Sequence, residues 1–501
     1  MTSIRDTAPP AIDPRSMHLF EDEANHYLYD VTSGSFGTIS DDLAKLLREC
    51  TRYDWETIAR GDFGLRPELD FDVARDALEL MRSNGLFRHV PLDAREQRAS
   101  LEMLYHHRPR RLQLLFAQMC NLKCIYCYEE ANGSNARKRL MKLEMAQKCV
   151  EYLAHVSGGR TDLQITFFGG EPLLNFRVMQ QVVDYCAEVQ RRTGKSFVFE
   201  TITNGTLLTP EIVHYFIENR FALMISLDGT REMNNHNRPS VNGKDCYDTI
   251  LANARYADQA YKAARVGIPV KVRANLTHEF HDYTGTVRFL ESQGFTTIGI
   301  GTVDDLPWSD GKLHALSADD LESVVAQRHA LLEIAYAKAK AGGRMTVFEA
   351  KVLREALAEV AKTRITRGLR CGVGRNTNIV DCEGNIYPCH RYGDMEKYIL
   401  GNVQDMALNR AQTMSYYLGV NAASSGKCQQ CWARYVCGGP CAWEVSNPNG
   451  TVLEPDEAAC NRIRQGLEQS LKFRSRVERE APHLLPNRSG CGDCSCGTQG
   501  D

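Results

Sequence analysis

From about residue 111 the chain alternates short apolar runs with longer amphipathic stretches, the pattern of repeated strand–helix units. The runs RLQLLFAQ (111–118), DLQITFFGG (162–170), SFVFETITNG (196–205), ALMISLDG (222–229), VKVRANLT (270–277) and TTIGIGTV (296–303) predict six strands. Between them, FRVMQQVVDYCAEVQRR (176–192) and YDTILANARYADQAYKAA (247–264) place apolar residues at helical spacing. Six such units predict an α/β fold, a partial (β/α)6 barrel over 101–316, with its chemistry at the C-terminal ends of the strands. Residues 1–100 form a separate unit, in which MHLFEDEANHYLYDVTSGSFGTIS alternates like paired strands and DVARDALELMRSNG is helical. Together they predict a small winged-helix-like module. Beyond the barrel, a helix over 317–343 leads into a cysteine-rich region reaching 484, and residues 485–501 form a cysteine-bearing tail expected to be disordered.

At 501 residues the chain exceeds what one hydrophobic core usually serves. Its 60 basic and 63 acidic residues nearly cancel, and neither sign forms a long run, which argues against a nucleic-acid binder. The opening MTSIRDTAPPAIDPRS lacks the apolar core of a signal peptide, and nowhere do 18 apolar residues run together. A cytoplasmic protein with no membrane partner is expected. Its 18 cysteines then change the picture, because a reducing compartment keeps thiols free for metals. Fourteen fall within 120–127, 371–460 and 491–496, and Cys50, Cys149, Cys186 and Cys246 are scattered.

Cys120, Cys124 and Cys127 form C-x3-C-x2-C immediately after the first barrel strand. Three thiolates can hold a cubane cluster and leave its fourth iron open to a chelating ligand. A structural zinc knuckle is the alternative, but it normally needs a fourth Cys or His, and none follows in this loop. The motif in this strand context resembles the radical S-adenosylmethionine (SAM) superfamily. The resemblance implies a [4Fe–4S] cluster whose open iron is chelated by SAM, and cleavage of SAM to a hydrogen-abstracting 5′-deoxyadenosyl radical. It implies that Tyr126 packs near the adenine. Gly169, Gly170, Glu171 and Pro172, ending the second strand, match the motif that binds the methionyl amino group. Thr203, Asn204, Ser226 and Asp228, at the ends of the next two strands, are expected near the ribose, and Arg238 at the SAM carboxylate. The family's usual His-Asp pair after SLDG is replaced here by Asn234 and Asn235. No residue is singled out as a catalytic acid or base.

Cys371, Cys389, Cys428-x2-Cys431-x5-Cys437-x3-Cys441 and Cys460 follow in an order that resembles the SPASM extension of radical SAM enzymes. Two zinc ribbons are the alternative reading of the spacing. The resemblance implies two auxiliary [4Fe–4S] clusters, an outer one on Cys428, Cys431, Cys437 and Cys460 and an inner one on Cys371, Cys389 and Cys441. Cys382, seven positions before Cys389, is the candidate eighth ligand. Cys491, Cys494 and Cys496 could also donate ligands or mimic a substrate.

The segment HLFEDEANHYLYDVTSGSF looks like the leader-recognition element of peptide maturases, which binds a peptide as an added strand. The resemblances imply a maturase acting on a ribosomally made peptide, served by flavodoxin or ferredoxin, that installs a thioether or a carbon–carbon or carbon–oxygen cross-link. A maturase of a protein substrate, forming quinohemoprotein thioethers or sulfatase formylglycine, is the alternative within the superfamily. A non-catalytic metal-cluster scaffold is the alternative outside it.

Overall fold

A computed structural model describes residues 11–64, 70–88, 108–131, 138–303, 314–359, 376–439, 441–447, 450 and 452–485. Cys371, Cys491, Cys494 and Cys496 lie outside the described residues.

The N-terminal unit places its strands first. β1 (Met17–Glu21), β2 (His26–Asp30) and β3 (Phe36–Ile39) form an antiparallel meander, followed by α1 (Asp41–Cys50), α2 (Trp55–Arg60) and α3 (Phe71–Ser83). Each helix starts at a side chain that accepts an otherwise orphaned backbone N–H, from Ser40, Asp54 and Asp70 respectively. Leu43, Leu46, Leu47, Ile58, Phe71 and Leu78 form a core of their own beneath the sheet.

The barrel strands follow as β4 (Arg111–Gln118), the short β5 (Arg139–Leu140), β6 (Asp162–Gly169), β7 (Ser196–Thr203), β8 (Ala222–Ser226), β9 (Lys271–Leu276) and β10 (Thr297–Thr302). β4, β6, β7, β8, β9 and β10 pair in parallel in that order, as the six sequence runs predict. The central strands are nearly continuous apolar runs, since helices cover their outer face. Two crossover helices are needed below: α4 (Arg231–Asn237), after β8, and α5 (Ala318–Lys340), after β10.

The sheet does not end where the barrel does. β11 (Thr377–Val380) pairs in parallel with β4, and β12 (Asn385–Tyr387), β13 (Gly401–Asn402) and β14 (Ala407–Leu408) extend it antiparallel. The cysteine-rich region is therefore grafted onto the strand that carries the first cysteine motif. The long α6 (Glu457–Glu480) runs back across the molecule, where Leu471 joins Phe20, Tyr27, Tyr29 and Val31 of the N-terminal unit in one apolar cluster with Ala422, Ala423, Cys428 and Tyr435. His18 stacks on Trp432, ring centroids 3.9 Å apart and 3° from parallel, and its Nε2 lies 2.7 Å from Glu468. The guanidinium of buried Arg434 donates to the Arg15 carbonyl at 3.0 Å. The N-terminal unit is thus packed onto the cysteine-rich domain.

Candidate active site

The loop after β4 carries the three cysteines, and its shape is dictated by the turn after β6. Gly169 has φ +113°, and a Cβ there would stand 2.4 Å from the Ala117 carbonyl, so only glycine permits this approach. Gly170 N–H then donates to that carbonyl at 2.6 Å, and Glu171 N–H donates to the Met119 carbonyl at 2.9 Å. The fully buried Glu171 carboxylate accepts from Leu173 N–H (3.0 Å), Thr203 Oγ1 (2.8 Å) and Asn204 N–H (2.7 Å). Burial pushes its carboxyl above the usual range even against these bonds. Expected to receive the methionyl amino group, Glu171 spends three bonds tying the ends of β6 and β7 together.

Asn204 continues the chain of contacts, its amide donating to Asn121 Oδ1 at 2.8 Å and to Cys120 Sγ at 3.6 Å. Asn121 in turn donates to Thr206 at 2.8 Å. Burial pushes the Cys120 thiol up to about 12, and raises the Cys124 thiol against the field of Arg238. Tyr126 is placed between two charges: Arg238 Nη1 donates to its hydroxyl at 2.6 Å, and the hydroxyl donates to Asp228 Oδ2 at 2.7 Å. Asp228 is fixed from behind by Asn275 N–H, at 3.0 Å. Ser226 ends β8, half-buried, two residues earlier. The structure thus brings Cys120, Cys124, Thr203, Asn204, Glu171, Asp228, Arg238 and Tyr126 to one end of the sheet.

Sequence reasoning missed Asn121, Thr206, Asn237 and Asn275. Asn275 stands at the C-terminal end of a predicted strand, a position that could have flagged it.

Three features fit this end of the sheet to a cluster and a zwitterionic ligand. Two of its thiols are held neutral by burial, and a thiophilic metal would displace their protons. Arg238 Nε and Asn234 Nδ2 are buried without a hydrogen-bond partner among the described residues. Arg238 is the residue expected at the SAM carboxylate.

In the second region, Cys428, Cys431, Cys437 and Cys460 gather: the Cys428 thiol is pushed to about 11 by burial, and the other three each act on it. Arg464, one turn along α6 from Cys460, bonds Cys431. Cys389 and Cys441 both act on buried Tyr392. Cys382 is placed differently, its thiol donating to the Leu115 carbonyl of β4 at 3.3 Å. Burial pushes it to about 12, with Asp381 adding to the rise, and it acts in turn on Cys149. Between the two regions stands half-buried His390, its ring 5.0 Å from Phe168 and 5.6 Å from Tyr128, with desolvation lowering it to about 3.

This fold and site define the class of radical SAM proteins. The radical SAM superfamily model matches residues 114–276, and the SPASM iron–sulfur cluster-binding domain model matches residues 371–432. Residues 114–276 thus form a radical SAM domain, and residues 371–432 a SPASM domain. Both domains imply [4Fe–4S] clusters, and the first implies SAM.

Over 135 residues the chain is 36% identical to an uncharacterized protein of Methanocaldococcus jannaschii, a match spanning 27% of this chain and 44% of that one. It is 24% identical over 338 residues to a cysteine-type anaerobic sulfatase-maturating enzyme of Clostridium perfringens, covering 64% of this chain and 85% of the relative. The solved structure of native anSMEcpe with bound AdoMet and Cp18Cys peptide shares the fold, with a TM-score of 0.54 and 21% identity over 75% of this chain and 98% of that one. No described helix is long and apolar enough to cross a membrane.

Proposed function

We propose that this radical SAM enzyme is a peptide maturase, taking a hydrogen atom from a ribosomally made precursor and leaving a thioether, carbon–carbon or carbon–oxygen cross-link. The observation that carries the reading is the N-terminal meander packed against Cys428 and its neighbours Trp432 and Tyr435. Among the described residues β3 pairs only with β2, so its outer edge is open to an added peptide strand. A quarter of this chain falls outside the superposition on anSMEcpe, although nearly all of that enzyme is covered.

In this reading Cys120, Cys124 and Cys127 hold the SAM-binding cluster, and Arg238 with Asn234 receives the SAM carboxylate on their unpaired nitrogens. When bound, SAM supplies the hydrogen-atom abstraction. Tyr126, Asp228 and Asn275 orient Arg238, while Thr203, Asn204 and Glu171 fix the loop on which the cluster sits. Cys428, Cys431, Cys437 and Cys460 hold the outer auxiliary cluster, and Cys371, Cys389 and Cys441 the inner one. Flavodoxin or ferredoxin supplies the electrons, and the reaction runs in the cytoplasm. Tyr128, Phe168 and His390 form an aromatic wall between the first cluster loop and Cys389.

The name of the Clostridium relative favours a second reading, oxidation of a sulfatase cysteine to formylglycine. One experiment separates them. The reconstituted enzyme is given SAM, dithionite and either any short peptide encoded beside its gene or a sulfatase-derived cysteine peptide, and the products are read by mass spectrometry. Loss of two hydrogens from the encoded peptide, with a new bond in the fragment ions, is the expected result. Formylglycine in the sulfatase peptide and no change in the other would overturn the proposal.

A further inference from the structure

Three metal-ligating side chains meet at the rim of the barrel, outside the site described above. One nitrogen each of His236 and His314 and one oxygen of Glu279 lie within 4.8 Å of one another. They come from three successive strand exits: His236 from α4 after β8, Glu279 just beyond β9, and His314 beyond β10. We propose that His236, Glu279 and His314 form a binding site for one divalent transition-metal ion of the zinc class.

The three exits are stitched to one another by bonds that do not involve the ligands' side chains. His278 N–H donates to the His314 carbonyl at 3.0 Å, and Val303 N–H to the Leu276 carbonyl at 3.1 Å, which joins the β9 and β10 exits. Thr277 Oγ1 donates to Asn237 Oδ1 at 3.2 Å, and the Asn237 amide to the Asn275 carbonyl at 3.4 Å, which joins α4 to β9. The donors are therefore presented together by a scaffold that exists without the ion. The His236 ring packs 5.3 Å from Phe280 and stands 87° to the His314 ring. His314 holds φ +51°, a left-handed backbone state uncommon outside glycine, and its Nδ1 lies 2.5 Å from Glu279 Oε1.

That imidazole–carboxylate contact is one a metal would replace. Two neutral imidazoles and one carboxylate suit zinc or ferrous iron, and three protein ligands leave positions open to water or a substrate group. The neighbouring histidines are committed elsewhere: His278 is 2.6 Å and His281 3.5 Å from Asp320, across from the triad. The ion would tie α4 to the β9 and β10 exits. Arg238 and buried Asn234 lie within two residues of His236, so occupancy would clamp the segment that faces the SAM carboxylate.

The test uses the full chain with its clusters reconstituted, in a Cys491→Ser/Cys494→Ser/Cys496→Ser background that removes the tail thiols. Zinc sulfate is titrated in, and bound zinc and iron are counted by mass spectrometry after gel filtration. The parent is expected to take up one zinc per chain and to unfold at a higher temperature with zinc. His236→Ala/His314→Ala should lose that equivalent and that shift with iron unchanged, Glu279→Gln should bind at least tenfold more weakly, and His278→Ala should bind as the parent does. Equal zinc uptake by the parent and the double variant, or none by the parent, would overturn the site. If the double variant loses iron, His314→Gln alone is read in the same way.

Discussion

The Glu171 carboxylate is a hinge between chemistry and scaffold, because its oxygens hold three donors from β7 and its own turn while the turn's backbone holds the cysteine loop. In Glu171→Gln one acceptor oxygen becomes an NH2 facing a donor, which costs about 2–3 kcal/mol through an unmet buried group. Denaturant unfolding of the cluster-free protein should register this loss, and the reconstituted variant should make less deoxyadenosine; unchanged stability would show that the three bonds are replaceable. Cys382 is the opposite case. Spacing alone suggests that it saturates the inner cluster, yet its thiol bonds the Leu115 carbonyl on the barrel sheet. We expect Cys382→Ala, in a variant lacking the first site, to keep its iron content and its spectrum, leaving one inner iron open to a substrate sulfur. Loss of the inner cluster's signal would restore Cys382 as a ligand.

At the scale of elements, the six parallel strands were legible because each is an apolar or alternating run ended by a polar turn, and the cysteine motif and GGEP announce themselves by position. What the sequence hides is contact across distance. Nothing in the run TNIV signals that β11 will pair with β4 more than two hundred residues earlier, or that Trp432 will meet His18. Such pairings depend on the surface that the rest of the fold presents. The start of α5 shows a local element with a long-range tie: Ser317 and Asp320 form a reciprocal capping box, and Asp320 also pairs with His278. Burial alone would raise the Asp320 carboxyl, but the bonds from His278 and Ser317 outweigh it and hold the group at about 2. Its stabilising effect is present above the ordinary carboxylate range and lost as pH falls through about 2. His278 is raised by the same bond, so its share is present below the ordinary imidazole range and lost as pH rises through the raised value. Thermal unfolding of Asp320→Asn should therefore lag the parent most between about pH 4 and 6.5, with the gap narrowing above. A gap that does not vary with pH would assign the loss to the cap alone.

Over the whole molecule, the N-terminal unit is not a detachable arm. Phe20, Tyr27, Tyr29 and Val31 are buried with Cys428 and Tyr435, so removing residues 1–95 would strip the cover from Cys428, a proposed outer-cluster ligand, and confuse a binding defect with a metal defect. A gentler probe is the pair His18→Ala and Trp432→Ala. The stacked rings should couple by about 0.5–1.5 kcal/mol in a double-mutant cycle, and both single variants should lose iron from the outer site before the other two. Additive effects with full iron retention would mean that the two units fold independently. The pairing of β4 with β11 has a further consequence, for the order in which the chain is born. β4 ends at residue 118 and β11 begins at 377, so 258 residues leave the ribosome between the strand and its neighbour. At bacterial or eukaryotic translation speeds of about 5–20 residues per second, the Arg111–Leu114 edge stays bare for roughly 13–50 seconds. Through that interval a nascent chain carries an unpaired strand edge beside three reactive thiols, exposed to other nascent chains and to oxygen. Anaerobic synthesis with chaperones present is the condition under which this protein should reach its native form in good yield.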